Sequence, residues 1–411
     1  MRWPQTGRGW PRSRLTAWSH RAGLALSLGV AAVTLAACGG GGNVAPPVTS
    51  VQAPPPTVPA PAPPTTGPGA AVRIALLLPL SGNNAALGQG MLQAAQMALF
   101  EVGGNDVALI VRDTEATGGA GAAARSALNE GAQIILGPIY ASATKEVAPI
   151  AQSVGISVIS FSTDREAAGN GAFIMGVLPQ IQVDRVVGYA SSQGIHRYAA
   201  LAPSSPYGHQ LADALAVAAG RFGGQFIDAQ FYEAGARNPT DSVKALAKTV
   251  GAQGDAVMLP EGGAVLRSIA PLLTYYEIDT AKVRLLGSRL WADDSTLGNE
   301  AVLDGGWYAA PPTDSWTKFA QSYRAAYDVD PPRIASLAYD ATSLALGLAK
   351  EAPNNFTVAS ITRPNGFNGV DGIFRFTPNG LVERGLAVYE LDKDGPRLID
   401  PAPKDFQALT Q

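Results

Sequence analysis

From Val72 onward the chain repeats one pattern: a short continuous apolar run, a polar turn, then apolar residues at helical spacing. Arg73–Leu78 opens the series, Pro79–Asn84 turns, and Gly88–Phe100 places Met91, Ala94, Ala95, Ala98 and Leu99 at helical intervals. A strand that is apolar at nearly every position must be covered on both faces. The alternation continues through strand Val107–Arg112, helix Ala122–Glu130, strand Ile134–Leu136, helix Ala143–Ser153 and strand Ser157–Ser160. A second series begins near Tyr198: strand Tyr198–Ala202, helix His209–Arg221, strand Gln225–Phe231, helix Thr240–Val250, strand Ala256–Leu259, helix Gly263–Tyr276 and strand Val283–Leu286. The chain then passes through Gly305–Pro311 to helical stretches Ser315–Tyr327 and Ile334–Lys350. Gly369–Leu398 reads as β-hairpin material, with turns at Pro378-Asn379-Gly380 and Lys393-Asp394-Gly395. The pattern predicts α/β architecture with parallel, doubly wound sheets, and 411 residues suffice for two lobes of ordinary domain size.

The residues before Val72 follow other rules. Arg2, Arg8, Arg12, Arg14 and Arg21 form a basic start without an acid, and Ala22–Ala37 is almost wholly apolar or small. That run suits a signal-peptide core and is short for a membrane span. It ends in Leu35-Ala36-Ala37-Cys38-Gly39, which resembles a bacterial lipobox. The resemblance implies cleavage after residue 37 and lipidation of Cys38, with Gly39 similar to the outer-membrane sorting form. Residues 39–71 hold ten of the 31 prolines, six glycines and no charge, a composition for an extended tether. The expected location is the periplasm, lipid-anchored to the outer membrane.

Composition removes several classes of function. A single cysteine excludes an intrachain disulfide and Cys-rich metal sites, and three histidines leave little for metal or acid–base chemistry. A net charge of −3, falling to −8 once five leader arginines are lost, leaves no footprint for nucleic acid. Gly119-x-Gly121-x-x-Ala124 matches a dinucleotide fingerprint but lies too far past Val111 to open a helix directly from a strand. No nucleophile elbow, zinc-protease or Walker pattern occurs. No catalytic residue, metal or cofactor is expected, and the chain reads as a binder rather than an enzyme.

Ile74–Gly82, then Gly88 and its Ala-rich helix, resemble the opening of type 1 periplasmic binding proteins of the leucine/isoleucine/valine-binding class. Ile134-Ile135-Leu136-Gly137-Pro138, Ala148-Pro149-Ile150-Ala151, Gly155-Ile156 and Ile159-Ser160-Phe161-Ser162 are similar to the second hallmark, and Tyr207-Gly208 to the third. Ala94-Ala95-Gln96-Met97-Ala98, Val111-Arg112-Asp113-Thr114 and the proline-rich stretch resemble the lipoprotein branch of penicillin-binding protein activators. The resemblance implies two lobes joined by three hinge strands, crossing near Gly176–Pro179, near Gly305–Pro312 and around Phe367–Phe376. The expected division is a leader over 1–37, lipidated Cys38 and linker over 38–71, and one leucine-binding-protein-like domain over 72–411. Within it, lobe I takes 72–178 plus 310–364 and lobe II takes 179–309 plus 365–411.

Ligands of open parallel sheets sit beyond the carboxyl ends of the strands. In the first lobe those ends carry Ser81-Gly82, the segment with Tyr140 and Ser142, and Phe161-Ser162-Thr163. The resemblance implies that the loop at Tyr140 and the Ser160–Thr163 segment hold the α-carboxylate and α-ammonium of an amino acid, with Thr163 and the backbone at Phe161 carried over. Ser142 and Thr163 also suit helix N-caps. In the second lobe Glu261 stands where relatives place an acid, although it would also favour a helix start; Tyr207 and Trp291 could close over a ligand. Trp307, Tyr308 and Trp316 read as hinge and core aromatics. Ala141 in place of a hydroxyl, Gly176 in place of an arginine and the bulky Ser160–Thr163 segment depart from the leucine binders. Two functions follow: a solute-binding lipoprotein delivering an amino-acid-like ligand to an ABC permease or sensor, or a regulator contacting a class A penicillin-binding protein, with or without a ligand.

Overall fold

The computed structural model describes residues 72–103, 106–235, 239–294 and 296–407. The leader, Cys38 and the proline-rich segment lie outside the described residues. The first sheet is built from β1 (Val72–Leu78), β2 (Val107–Asp113), β3 (Ile134–Leu136), β4 (Val158–Ser160) and β5 (Ala172–Ile174). Its order is β2-β1-β3-β4-β5, every pair parallel. Helices α1 (Ala85–Val102), α2 (Gly119–Asn129) and α3 (Ala141–Gln152) connect the strands. Ile74, Leu76 and Leu78 point into one core and Ala75 and Leu77 into the other, which is why β1 lacks polar alternation. Gly119 and Gly121 fall inside α2, where Gly121 lies close to Ile150 of α3, so the dinucleotide-like spacing serves helix packing.

The second sheet has seven strands. β6 (Arg197–Pro203), β7 (Gln225–Tyr232), β8 (Ala256–Leu259), β9 (Arg284–Gly287) and β10 (Trp307–Ala310) are parallel. β14 (Ala387–Glu390) and β15 (Arg397–Asp400) add antiparallel strands, giving the order β15-β14-β10-β9-β8-β6-β7. Helices α4 (Pro179–Ser192) and α5 (Pro206–Arg221) bury their apolar residues on one face, and α6 (Thr240–Gln253) and α7 (Gly263–Tyr275) on the other.

Helices α8 (Thr313–Tyr327) and α9 (Ala335–Glu351) return to the first lobe, followed by short α10 (Val358–Ile361). The Ala-rich faces of α1 and α9 pack together, and Tyr323 of α8 donates to the Gly90 carbonyl at 3.2 Å. β11 (Phe367–Gly369), β12 (Gly372–Phe376) and β13 (Val382–Arg384) form a small antiparallel sheet. This differs from the expected third crossing at Phe367–Phe376 and from placing 365–384 in lobe II. Phe374, Phe376 and Val382 are buried in the first lobe's core, and Leu381 bridges to Ile174 beside β5. Aromatic burial therefore keeps β11–β13 with the first lobe, and the chain passes over at Gly385-Leu386. The other two passages lie at 175–178 and 311–312, between β5 and α4 and between β10 and α8. The hairpin-like tail is thus split between two sheets, while both proposed turns are present, with Gly380 and Gly395 at positive φ.

Candidate ligand-binding cleft

Strands β1, β3 and β4 are neighbours, so Ser81-Gly82, Tyr140–Ser142 and Phe161–Thr163 fall along one edge of the first sheet. Asp113, at the end of β2, organises the first of these turns. Its Oδ1 accepts from the Leu80 N–H at 2.8 Å and from the Glu115 N–H at 2.9 Å. Partial burial opposes the charge, but these bonds and one from the Ser81 hydroxyl hold the Asp113 carboxyl below its usual range. Gly82 is exposed at φ 70°.

At the second turn Tyr140 occupies the N-cap of α3 without a side-chain capping bond, and Ser142 is exposed in the first helical turn. Neither Ser142 nor Thr163 is an N-cap; the cap after β4 is Asp164, which accepts from the Glu166 N–H. Phe161 is 1% exposed, with its N–H given to the Pro138 carbonyl at 3.0 Å. Ser162 is buried and its Oγ accepts from the Asp164 N–H at 3.0 Å. Both shape the loop, leaving the exposed Thr163 as its cleft-facing side chain. Gly176 has a local reason too. Its N–H donates to the Ser162 carbonyl at 3.1 Å, and a Cβ would stand 2.3 Å from that oxygen, so an arginine does not fit without moving the loop.

In the second sheet β6, β8 and β9 are neighbours, and their carboxyl ends bring Tyr207, Glu261 and Ser288-Arg289 to one edge. The half-buried Tyr207 hydroxyl bonds Ser288, and burial raises its phenol above the ordinary value. Burial likewise raises the Glu261 carboxyl, only partly offset by the adjacent Tyr232 hydroxyl and the Gly262 N–H. Trp291 differs from its expected closing role. It is 1% exposed in the second lobe's core, beside Tyr308 and packed over Gly287 and Gly306. A ring wedged there is already desolvated and holds the loop after β9.

The lobes meet over two small cavities of about 80 and 100 Å³. Thr163, Arg333, Ser336 and Asp371 from the first lobe face Arg289 from the second in one of them. Trp316 and Arg333 face Tyr308 and Arg289 in the other. Arg333 Nη2 lies 2.7 Å from Asp371 Oδ1, and its guanidinium stacks 4.2 Å over Trp316. Arg289 Nη1 donates to Asp293 Oδ1 at 2.9 Å, while its backbone N–H bonds Gln182 Oε1 at 2.8 Å. Nearby, Arg384 is fully buried at the end of β13 and donates to the Met175 carbonyl, tying two interlobe passages together. Trp307 and Tyr308 are buried in the second lobe, and Tyr308 and Trp316 both form part of the cavity wall. Arg289, Arg333 and Asp371 carry no motif. Arg333 stands in Asp330-Pro331-Pro332-Arg333, more than 160 residues from Thr163, and only the return of the chain through α8 brings them together.

No group of three or more metal-ligating side chains occurs among the described residues, and no described helix is long and apolar enough to cross a membrane. The sequence profile of a family described as periplasmic binding protein matches residues 71–396. No match is found among curated protein sequences. Among solved structures, a branched-chain amino acid ABC transporter protein from Rhodospirillum rubrum is 19% identical, covering 80% of this chain and 99% of that one at a TM-score of 0.69. A leucine binding protein from Thermotoga maritima is 20% identical over 80% and 98%, at 0.59. An ABC-transporter solute binding protein from R. palustris, in complex with benzoate, is 16% identical over 81% and 98%, at 0.58. At these identities the likeness is one of fold.

Proposed function

The chain belongs to the periplasmic binding protein family, and from that membership we propose that it binds a small amino-acid-like solute between its lobes and passes it to an ABC permease. The observation that carries this reading is the meeting of strand ends from two sheets over one cavity, with Thr163 on one side and Arg289 on the other. The α3 N-terminus and Thr163 provide donors for a carboxylate, with Ser81 held by Asp113 at the rim of the same edge. Glu261, with Tyr207 beside it, provides the counter-charge for an ammonium. The protein supplies recognition and no bond-making step. Solved relatives of this fold include leucine and benzoate binders, so fold alone leaves the solute open.

The reading is tested by thermal unfolding with a panel of branched-chain and polar amino acids. A ligand at 100-fold over Kd adds about 2.7 kcal/mol of stability. Glu261→Ala should remove whatever shift is seen, and a shift of unchanged size would refute that residue's role. Lipidation of Cys38 is part of the same proposal and predicts that Cys38→Ala releases the protein from membranes. The proline-rich sequence after Cys38 favours a second reading, regulation of a peptidoglycan synthase across the periplasm. A flat panel, together with capture of a class A penicillin-binding protein, would decide for it.

A further inference from the structure

We propose that the cleft selects an acidic amino acid, whose distal carboxylate is gripped between Arg289 of one lobe and Arg333 of the other. The proposal rests on the amino-acid reading above and names the solute class. Both guanidiniums line both cavities, although they come from different lobes and lie 44 residues apart. Two like charges facing one small space repel each other, and an anion placed between them turns that cost into attraction.

Each guanidinium is held but not exhausted. Arg333 uses Nη2 on Asp371 and Nη1 on the Ser336 hydroxyl at 3.0 Å, and its face rests on Trp316. Arg289 uses Nη1 on Asp293. A guanidinium carries five N–H donors, so both keep donors for a ligand in fixed orientations. Asp293 and Asp371 each pair with one of the two arginines, and Asp371 is shared with a third cation. Arg384, an electrostatic neighbour of Arg333 and Asp371, is itself buried with Nε and Nη1 lacking an acceptor among the described residues. Thr163 lines the same cavity as the arginine pair, so a head group bound at Thr163 would send a short side chain toward them. Cavities of about 80 and 100 Å³ suit a side chain of a few heavy atoms. A leucine-like side chain there would cover cationic donors without pairing them, an unfavourable exchange.

The experiment uses the full chain, with thermal shift and tryptophan fluorescence titration against L-glutamate, L-glutamine and L-leucine. Glutamine matches glutamate in shape and lacks its distal charge. The expected result is tighter binding of L-glutamate than of L-glutamine, by about tenfold or more, and no response to L-leucine. Arg289→Gln should abolish the preference; it is chosen because Arg333 also neutralises buried Asp371. Arg289→Lys should restore part of it, and ligand-free melting of each variant reports whether the fold is intact. Equal affinity for glutamate and glutamine, a preference that survives in folded Arg289→Gln, or binding of leucine alone would overturn the proposal. If such binding still disappears in Glu261→Ala, the amino-acid reading stands without the acidic class. No response to any of the three would overturn both.

Discussion

Asp371 is 2% exposed and faces two guanidiniums: Arg333 at 2.7 Å and the fully buried Arg384. Asp371→Asn keeps the shape and can keep the Ser336 contact, but leaves those cations without their nearest counter-charge. Removing one partner of a buried ion pair costs about 3–5 kcal/mol. Asp340 moderates the loss, because the Asp371 charge is one of the two effects that keep Asp340 protonated, burial being the larger. The expectation is therefore the lower end, about 3 kcal/mol. With an unfolding entropy of about 2.1 cal/mol/K per residue, the roughly 330 residues described give about 0.7 kcal/mol/K, so Tm should fall by about 4 °C. Arg384→Met in the same chain removes the buried cation as well and should return more than half of the loss, since a buried pair replaced by apolar groups is often neutral. Circular dichroism melts of the wild type, both single variants and the double variant measure this cycle. A single-variant shift under about 1 °C, or losses that simply add in the double variant, would refute the reasoning.

Burial, and after it the Asp371 carboxylate, raise Asp340 from an ordinary 3.8 to about 7. The folded chain holds this proton more tightly than the unfolded one, so the group's contribution is complete below about pH 4 and is lost as pH rises through about 7. Asp340→Asn should flatten that part of a Tm profile measured from pH 4 to 8; an unchanged slope would exclude Asp340 as its source. A Cβ at Gly287 would lie 2.2 Å from the buried Trp291 ring, so Gly287→Ala should cost about 1–3 kcal/mol in urea unfolding and displace the loop bearing Arg289. Tyr323→Phe loses the bonds to Gly90 and Gln93 and should cost about 1 kcal/mol by the same measurement. Because Glu261 is raised above its usual value and must be ionised to hold an ammonium, ligand affinity should fall as pH drops through that raised pKa. Isothermal titration at several pH values checks this, with Glu261→Gln expected to remove the trend.

Local patterns were readable wherever local physics decides. Apolar runs such as Ile74–Leu78 and Ala256–Leu259 form strands covered on both faces, and Pro378-Asn379-Gly380 turns where Gly380 takes positive φ. β5, β10 and α4 escaped the alternation: all three adjoin the interlobe passages at 175–178 and 311–312, where the strand–turn–helix rhythm breaks. The positions of Ser81, Tyr207 and Glu261 at strand ends were legible because strand ends can be located from the strands themselves. Trp291 was misplaced because an aromatic residue in a loop reads the same whether it faces a cleft or a core.

The sequence by itself determined the α/β alternation and the places of the strand ends. Those follow from period, composition and neighbours within a few residues. Only the tertiary structure decided that β11–β13 stay with the first lobe, that Phe161 and Trp291 serve packing, and that Arg289, Arg333 and Asp371 share the interlobe space. The reason is distance along the chain. Side-chain burial and charge pairing depend on residues brought together by two returns of the backbone, and no local spacing records which of them will meet.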